Sequence, residues 1–313
     1  MMTARRRVMW PLVIMAVGVL WLLAAGGTVP EAVRDLLRRA WPALLFLFGF
    51  DVLLGRRQLR IRRVSVGVNW IGLGLTVVLV GGMIWLAYRQ QAEVQRTENV
   101  QTFQETLSPE VQRVRVDAQV LRTTVTIGSA PEAPDGVSAR YVGSRESQVT
   151  MRWTVEGDTG VLTVAEELRH AIPKLSDYGR GALEIFLPTN VPVTLLAVQA
   201  DSGDMTADLG QLRVERLELA LEQGDMAVQL PVRDVMQGRL ATREGDIALF
   251  VPEGMALNVK LEAGSGEPDY VYDSFRYDLL RDGELKRRNV SAFQYVLGVR
   301  LKDGAKLVVT DTP

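Results

Sequence analysis

Hydrophobic positions along the chain follow two different rules, and the change between them falls near residue 90. Before that point apolar residues come as unbroken runs at 8–26, 41–55 and 64–88. About 20 helical residues cross a ~30 Å hydrocarbon layer, so the first and third runs are predicted transmembrane helices. The middle run is short enough to suit an interfacial or re-entrant helix as well. An internal repeat favours a third crossing: Trp10-Pro11 and Trp41-Pro42 each open a segment, Gly18 and Gly49 share an offset, and Leu22-Leu23 matches Leu53-Leu54. Proline just inside a helix start forfeits no hydrogen bond, and tryptophan suits the headgroup level.

After residue 90 the rule changes. Residues 90–109 are rich in Gln, Glu and Thr and read as a juxtamembrane helix or tether. From Val111 the pattern has period two, as in Val114/Val116, Val125/Ile127 and Val149/Met151, which predicts short strands. A longer period then appears: Gly203-Asp204, Gly224-Asp225, Gly245-Asp246 and Gly266-Glu267 recur every 21 residues, with Gly181 preceding the series by 22. Offsets of two, four and six after each glycine are apolar, as in Met226/Val228/Leu230 and Ile247/Leu249/Val251. A second apolar triplet sits between successive glycines: Leu196/Val198/Ala200, Leu217/Leu219/Leu221, Gly238/Leu240/Thr242 and Val259/Leu261/Ala263. Polar residues such as Glu218, Glu222, Arg239 and Lys260 alternate with these triplets.

Two half-buried strands per repeat cannot bury their inward face alone, so copies must stack strand on strand at ~4.8 Å. The expected product is a short parallel β-helix with 21-residue coils over residues 110–313, each glycine marking a bend with positive φ. The segment after Gly266, with Pro268 and the charged stretch 281–288, departs from the pattern as a cap would, and strands near 293–301 and 306–309 are expected to close the end.

Charge adds orientation. Residues 1–98 hold 13 Lys/Arg and 5 Asp/Glu, and residues 99–313 hold 23 and 32. The basic third suits anionic headgroups, and the acidic remainder excludes a nucleic-acid surface. Arg5, Arg6 and Arg7 precede the first run, and Arg56, Arg57, Arg60, Arg62 and Arg63 precede the third; positive residues mark the cytoplasmic side. Three crossings then carry the β domain outside, giving a multi-pass protein of the cell membrane with the bilayer as its first partner. Arg34, Arg38 and Arg39, in the intervening loop, oppose this orientation but are accompanied by Glu31 and Asp35. A basic start and Ala24-Ala25-Gly26 also fit a cleavable signal peptide, after which the later runs would still anchor the chain.

Two resemblances follow. The paired short spans beginning Trp10-Pro11 and Trp41-Pro42 resemble the membrane region of LiaI- and LiaF-type proteins of bacterial envelope stress systems. The strand, Gly-Asp, strand coils resemble toast-rack, LiaF C-terminal-like domains, also described as adhesin-type β-solenoids. The resemblance implies a membrane-bound regulator or sensor of envelope state, partnered by a sensor kinase or another envelope protein. A structural or adhesive surface module is the alternative. Three spans depart from the familiar pattern, which leaves the regulatory role resting on analogy.

Candidate chemistry is sparse. The column Asp204, Asp225, Asp246 and Glu267 would bring like charges together, and a cation such as Ca²⁺ could relieve the repulsion. A turn preference explains the same residues, since aspartate tolerates tight turns and bonds nearby backbone, and one carboxylate per 21 residues supplies few oxygens. His170 is the sole histidine, so a His-based metal cluster or Ser-His-Asp relay is not expected. Gly72-Leu73-Gly74 lies inside an apolar run and suits close helix packing, Asn69 and Asp51 lie near span ends, and Asn289-Val290-Ser291 is a chance-level sequon. With no cysteine there is neither a thiol nucleophile nor a disulfide. No catalytic residue, cofactor or resident metal is expected, and nothing in the chain sets an oligomeric state.

Overall fold

The computed structural model describes residues 93–129, 135–170, 179–232, 236–262, 265–288 and 295–312, residues 82, 85 and 91, and the backbone of 58–61 and 64–67. The expected spans at 8–26 and 41–55, most of 64–88, the topology arginines other than Arg60, Asp51, Asn69, Gly72-Leu73-Gly74 and the sequon lie outside the described residues. No helix among the described residues is long and apolar enough to cross a membrane.

The chain divides into two units, the larger being Gln95–Ala171 with Gly179–Pro313. In the other unit β1 (Gln58–Ile61) and β2 (Val64–Gly67) pair antiparallel, with Ile61 opposite Val64. The pattern of the sequence starts the third span at Val64, whereas the structure has strand there. Val64-Ser65-Val66 alternates with period two and is β-branched at both apolar positions, which favours extended backbone locally.

The larger unit is all strand. It begins with β3 (Asn99–Thr106), the long β4 (Arg113–Ser129), β5 (Gly136–Gly143), β6 (Ser147–Glu156), β7 (Thr159–Leu168) and β8 (Gly181–Leu187). Three repeats follow: β9 (Val193–Ser202) with β10 (Met205–Asp208), β11 (Arg216–Gln223) with β12 (Met226–Gln229), and β13 (Met236–Glu244) with β14 (Ile247–Pro252). The chain ends with β15 (Leu257–Leu261), β16 (Asp269–Tyr272), β17 (Tyr277–Leu279), β18 (Leu285–Arg287), β19 (Tyr295–Arg300) and β20 (Lys306–Thr312).

These strands form two faces of a parallel solenoid. Sheet 1 runs β3, β5, β8, β4, β10, β12, β14, β20, β16, and sheet 2 runs β6, β7, β4, β9, β11, β13, β19, β15, β18, β17. Antiparallel strands cap both ends, which covers edges that would otherwise recruit another chain. The inward triplets of the middle coils are buried, with Leu217, Leu219, Met226, Val228, Leu230, Leu240, Ile247, Leu249 and Val251 all at most 1 % exposed, while Gly238 and Leu261 are half-buried. Each such side chain contributes ~1.5–3 kcal/mol when fully buried, so the continuous core dominates stability.

The bends carry their own stacking rule. Gly203, Gly224 and Gly245 have φ of 130°, 134° and 145°. A Cβ on Gly224 would lie 1.8 Å from the Gly203 carbonyl oxygen, and one on Gly245 would lie 1.9 Å from the Gly224 carbonyl oxygen. The glycines therefore serve two needs at once, the bend and the close approach of one coil to the next. Gly181 and Gly266 have no positive φ, and the expected bend conformation is confined to the three middle glycines.

Three further departures from the sequence pattern have identifiable causes. First, the fourth repeat does not sit on the third. β19 and β20 insert between them, pairing with β13 and β14 on one side and with β15 and β16 on the other. Gly238 leaves a hollow that Leu297 of β19 fills, a Cβ there lying 2.9 Å from Leu297 Cδ2. The 21-residue register would instead set Pro268, which has no N–H, beside Ile247. Second, β8 does not adjoin β10, because β4 lies between them and alone supplies both strands of a coil. Third, Asn99–Thr106, inside the stretch read as a tether, is strand β3, with Phe103 packed on the core. Its Gln and Thr content resembles a linker, but alternate residues point inward.

Candidate functional site

The carboxylate column forms a ladder along the bends. Asp204 Oδ1 accepts the backbone N–H of Asp225 at 3.2 Å, and Asp225 Oδ1 accepts that of Asp246 at 2.9 Å. Asp246 Oδ1 accepts the Lys306 N–H of the inserted coil at 2.8 Å, and Asp303 Oδ1 accepts the Glu267 N–H at 2.7 Å. Each carboxylate thus satisfies a backbone donor of the next coil. Glu267 enters only through its N–H, and Asp303 supplies the carboxylate at that step. Asp303 escapes the sequence reading because it is offset from the repeat; its signal is the Asp303-Gly304 pair just after β19. No group of three or more His, Asp or Glu among the described residues is placed to hold a metal.

At the corner where β4 passes from sheet 2 to sheet 1 there is no Gly-Asp bend. The buried Glu166 carboxylate occupies it instead, accepting from Leu121 N–H at 2.8 Å, Thr123 Oγ1 at 2.8 Å and Tyr141 Oη at 2.9 Å. Burial, reinforced by the Glu166 charge, pushes the Tyr141 hydroxyl up. Three donors compensate the buried charge, so this network is a corner brace. Nearby, His170 Nδ1 lies 2.6 Å from Glu146 Oε2 with its side chain 68 % exposed.

Two surfaces are open to other molecules. On the outer face of sheet 2 a groove of about 640 Å³ crosses four coils from Gln199 to Lys302. Its floor is the register-matched pair Ala220 and Ala241. The flanking columns change sign between β11 and β13, with Glu218 beside Arg239 and, two residues beyond Ala220 and Ala241, Glu222 beside Arg243. The column carrying Glu222 begins at Asp201 on β9 and ends at Lys302 after β19. Burial, with the Glu222 and Glu166 charges, pushes the Asp201 carboxyl up, as expected of an acid among like charges. Local ion pairs, Arg243–Glu222 at 3.2 Å and Lys302–Glu244 at 3.7 Å, are exposed and individually worth little.

The second surface is the cap. Phe275, at the tip of a turn held by the Asp273 Oδ1 bond to its N–H at 2.9 Å, is 88 % exposed. Beneath it Tyr277 donates to Asp311 Oδ1 at 2.6 Å, and the Arg287 guanidinium lies 5.7 Å from the Tyr277 ring centre. Burial, then Asp311, push the Tyr277 hydroxyl up, and burial with Asp282 holds Tyr270 at about 12.

These features define a class: a two-sheet parallel β-solenoid with antiparallel caps. No family model and no curated protein matches the chain. Among solved structures, a Clostridium sporogenes protein named a "putative cell adhesion protein" matches with a TM-score of 0.57 at 12% identity, over 69% of this chain and 100% of that one. A "putative adhesin" from Bacteroides fragilis matches with a TM-score of 0.29 at 9% identity, over 69% of this chain and 100% of that one. At these identities the first likeness concerns the fold and the second is too low to argue from. It is the solenoid part of the resemblance that the fold bears out.

Proposed function

We propose that the chain is a non-enzymatic binding module of the cell envelope, whose solenoid adheres to a partner through its outer faces. The observation that carries this reading is the long, flat, charge-patterned face of sheet 2 with its groove over Ala220 and Ala241. The likeness in fold to a protein named for cell adhesion is consistent with it. In the fuller form of the proposal the apolar runs at 8–26, 41–55 and 64–88 hold the module at the membrane, with the solenoid outside the cell. The bound partner is then another envelope protein, and a sensor kinase of a stress system is the second reading, favoured by the Trp-Pro repeat of those runs.

Photo-crosslinking from Ala241 and from Phe275 in intact cells tests the binding role. A specific adduct lost in Arg243→Glu supports it, and unchanged, nonspecific labelling at both positions overturns it. Protease added to spheroplasts tests location separately. Cleavage within 93–98, ahead of β3, is expected without lysis, and full protection until lysis would place the solenoid inside.

A further inference from the structure

The sign change across sheet 2 has a symmetry that a single copy does not use. Consider a two-fold axis lying parallel to the strands, between β11 and β13, with two copies face to face. The rotation keeps position along each strand and reverses the stacking order. Strand β11 then lies over β13 of the other copy, and β9 over β19. In the observed register this sets Glu218 opposite Arg239, Glu222 opposite Arg243, and Asp201 opposite Lys302, each pair occurring twice. The centre is Ala220 opposite Ala241, small enough to let the faces approach. From the sharp reversal of charge about this small-residue floor we infer that the outer face of sheet 2 is an isologous docking surface for a second copy of this chain.

Two features of the face support this occupant over an unrelated one. The acidic half carries Asp201, Glu218 and Glu222, and burial, then the Glu222 and Glu166 charges, hold the Asp201 carboxyl up. The basic half adds Arg300, an exposed guanidinium at the end of the groove, which the rotation sets opposite Gln199. Within one copy Arg243 meets Glu222, Arg239 meets Glu262 and Arg216 meets Glu218; these exposed pairs are individually weak, and each guanidinium has donors to spare for a facing copy. The size of the face sets the strength. Seven strands at ~4.8 Å and about five residues at ~3.3 Å span roughly 30 by 16 Å, below the ~800 Å² per partner of a standard interface. Association therefore belongs to the weak, concentration-dependent class, and confining copies to one membrane would favour it.

The inference rests on the proposed use of this face for binding and names a second copy as its occupant; its readout is the oligomeric state of the purified chain, which a different envelope partner would leave monomeric. The full-length chain in detergent is followed by sedimentation across a concentration series. Wild type is expected to pass from monomer to dimer. Glu218→Lys with Glu222→Lys reverses the charge of the β11 flank, and Arg239→Glu with Arg243→Glu reverses that of the β13 flank; each variant alone is expected to lose at least tenfold in affinity. Their equimolar mixture is expected to regain a heterodimer. Because the chain has no cysteine, mixing Ala220→Cys with Ala241→Cys under mild oxidation should give a crosslinked dimer, and Thr206→Cys on sheet 1 should not. Wild type that remains monomeric at every concentration, or a dimer equally strong in both charge-reversed variants, overturns the assignment. Failure of the mixture to associate while each variant keeps its thermal transition does the same.

Discussion

Replacing Gly224 by alanine tests the stacking rule at its tightest point. The substitution asks for two things the structure does not provide. Backbone at φ 134° is unfavourable for any residue with a Cβ, a strain of order 1–3 kcal/mol. The added carbon would also lie 1.8 Å from the Gly203 carbonyl oxygen and 2.7 Å from its carbonyl carbon, contacts with backbone that no rotamer change relieves. The two coils must part, which weakens the neighbouring Gly203 N–H bond to Gln223 O, now 3.0 Å, and the Asp204 carboxylate bond to Asp225 N–H. Adding one or two strained hydrogen bonds at ~1 kcal/mol each brings the total to about 2–5 kcal/mol. The internal control is Gly254, with φ 83° and nothing within 4 Å of where a Cβ would stand, so alanine there costs only the backbone strain. Urea denaturation of residues 95–313, the compact unit, measures both. A difference of about 1 kcal/mol or more, with Gly254→Ala itself costing about 1 kcal/mol, is the expected outcome. Equal losses at the two glycines would refute the claim that carbonyl-to-glycine contact sets coil spacing.

Leu219→Asp puts an uncompensated charge at a position 1 % exposed between β9 and β13 and is expected to cost several kcal/mol, whereas Thr206→Glu on the exposed side of β10 stays within about 0.5 kcal/mol; thermal melts of the same unit compare them. Asp225→Ala removes the acceptor of the Asp246 N–H and is expected to lower stability by about 1 kcal/mol, with Asp225→Asn, which keeps an acceptor oxygen, retaining most of it. If the ladder is backbone chemistry alone, millimolar Ca²⁺ leaves the melting temperature unchanged, and a rise would reveal a bound ion. The Glu284 carboxyl is held below its ordinary range, chiefly by the Lys286 ammonium bond. A depressed acid contributes stability above its unfolded pKa that is lost as pH falls through the folded one, so the protection factors of amides in 277–287, which allow for slower intrinsic exchange in acid, should fall below about pH 4.5. Lys286→Met should abolish that dependence.

The core was legible because its inward positions recur: Val198, Leu219 and Leu240 stand 21 residues apart, pair in register, and are each buried. Stacking order was not. The inward residues Val259 and Leu261 of β15 and Leu297 and Val299 of β19 are alike in size and polarity, and a period cannot say which copy lies on which. Only the hollow at Gly238 and the missing N–H of Pro268 decide it, and both are small, local facts. Strand β3 was hidden by its Gln and Thr content. The charge reversal on sheet 2 was half visible, in Glu218, Glu222 and Arg239, but its completion by Arg300 and Lys302 depends on the insertion of β19. The Glu166 brace joins Thr123, Tyr141 and Glu166, which share no motif, through a corner that no repeat defines.

The place of β19 and β20 also bears on how such a chain is made. Synthesis delivers residues in order, so β15 and β16 emerge while the flank of β13 and β14 is still bare. The seat beside them belongs to residues 295–312, which follow β15 and β16 in the chain. Until then the edges of β13 and β14 stay unpaired, and the fourth repeat can dock only on strands made after it. Inserting β19 and β20 thus replaces a local, sequential stacking step by a longer loop closure, which slows the closing of this end.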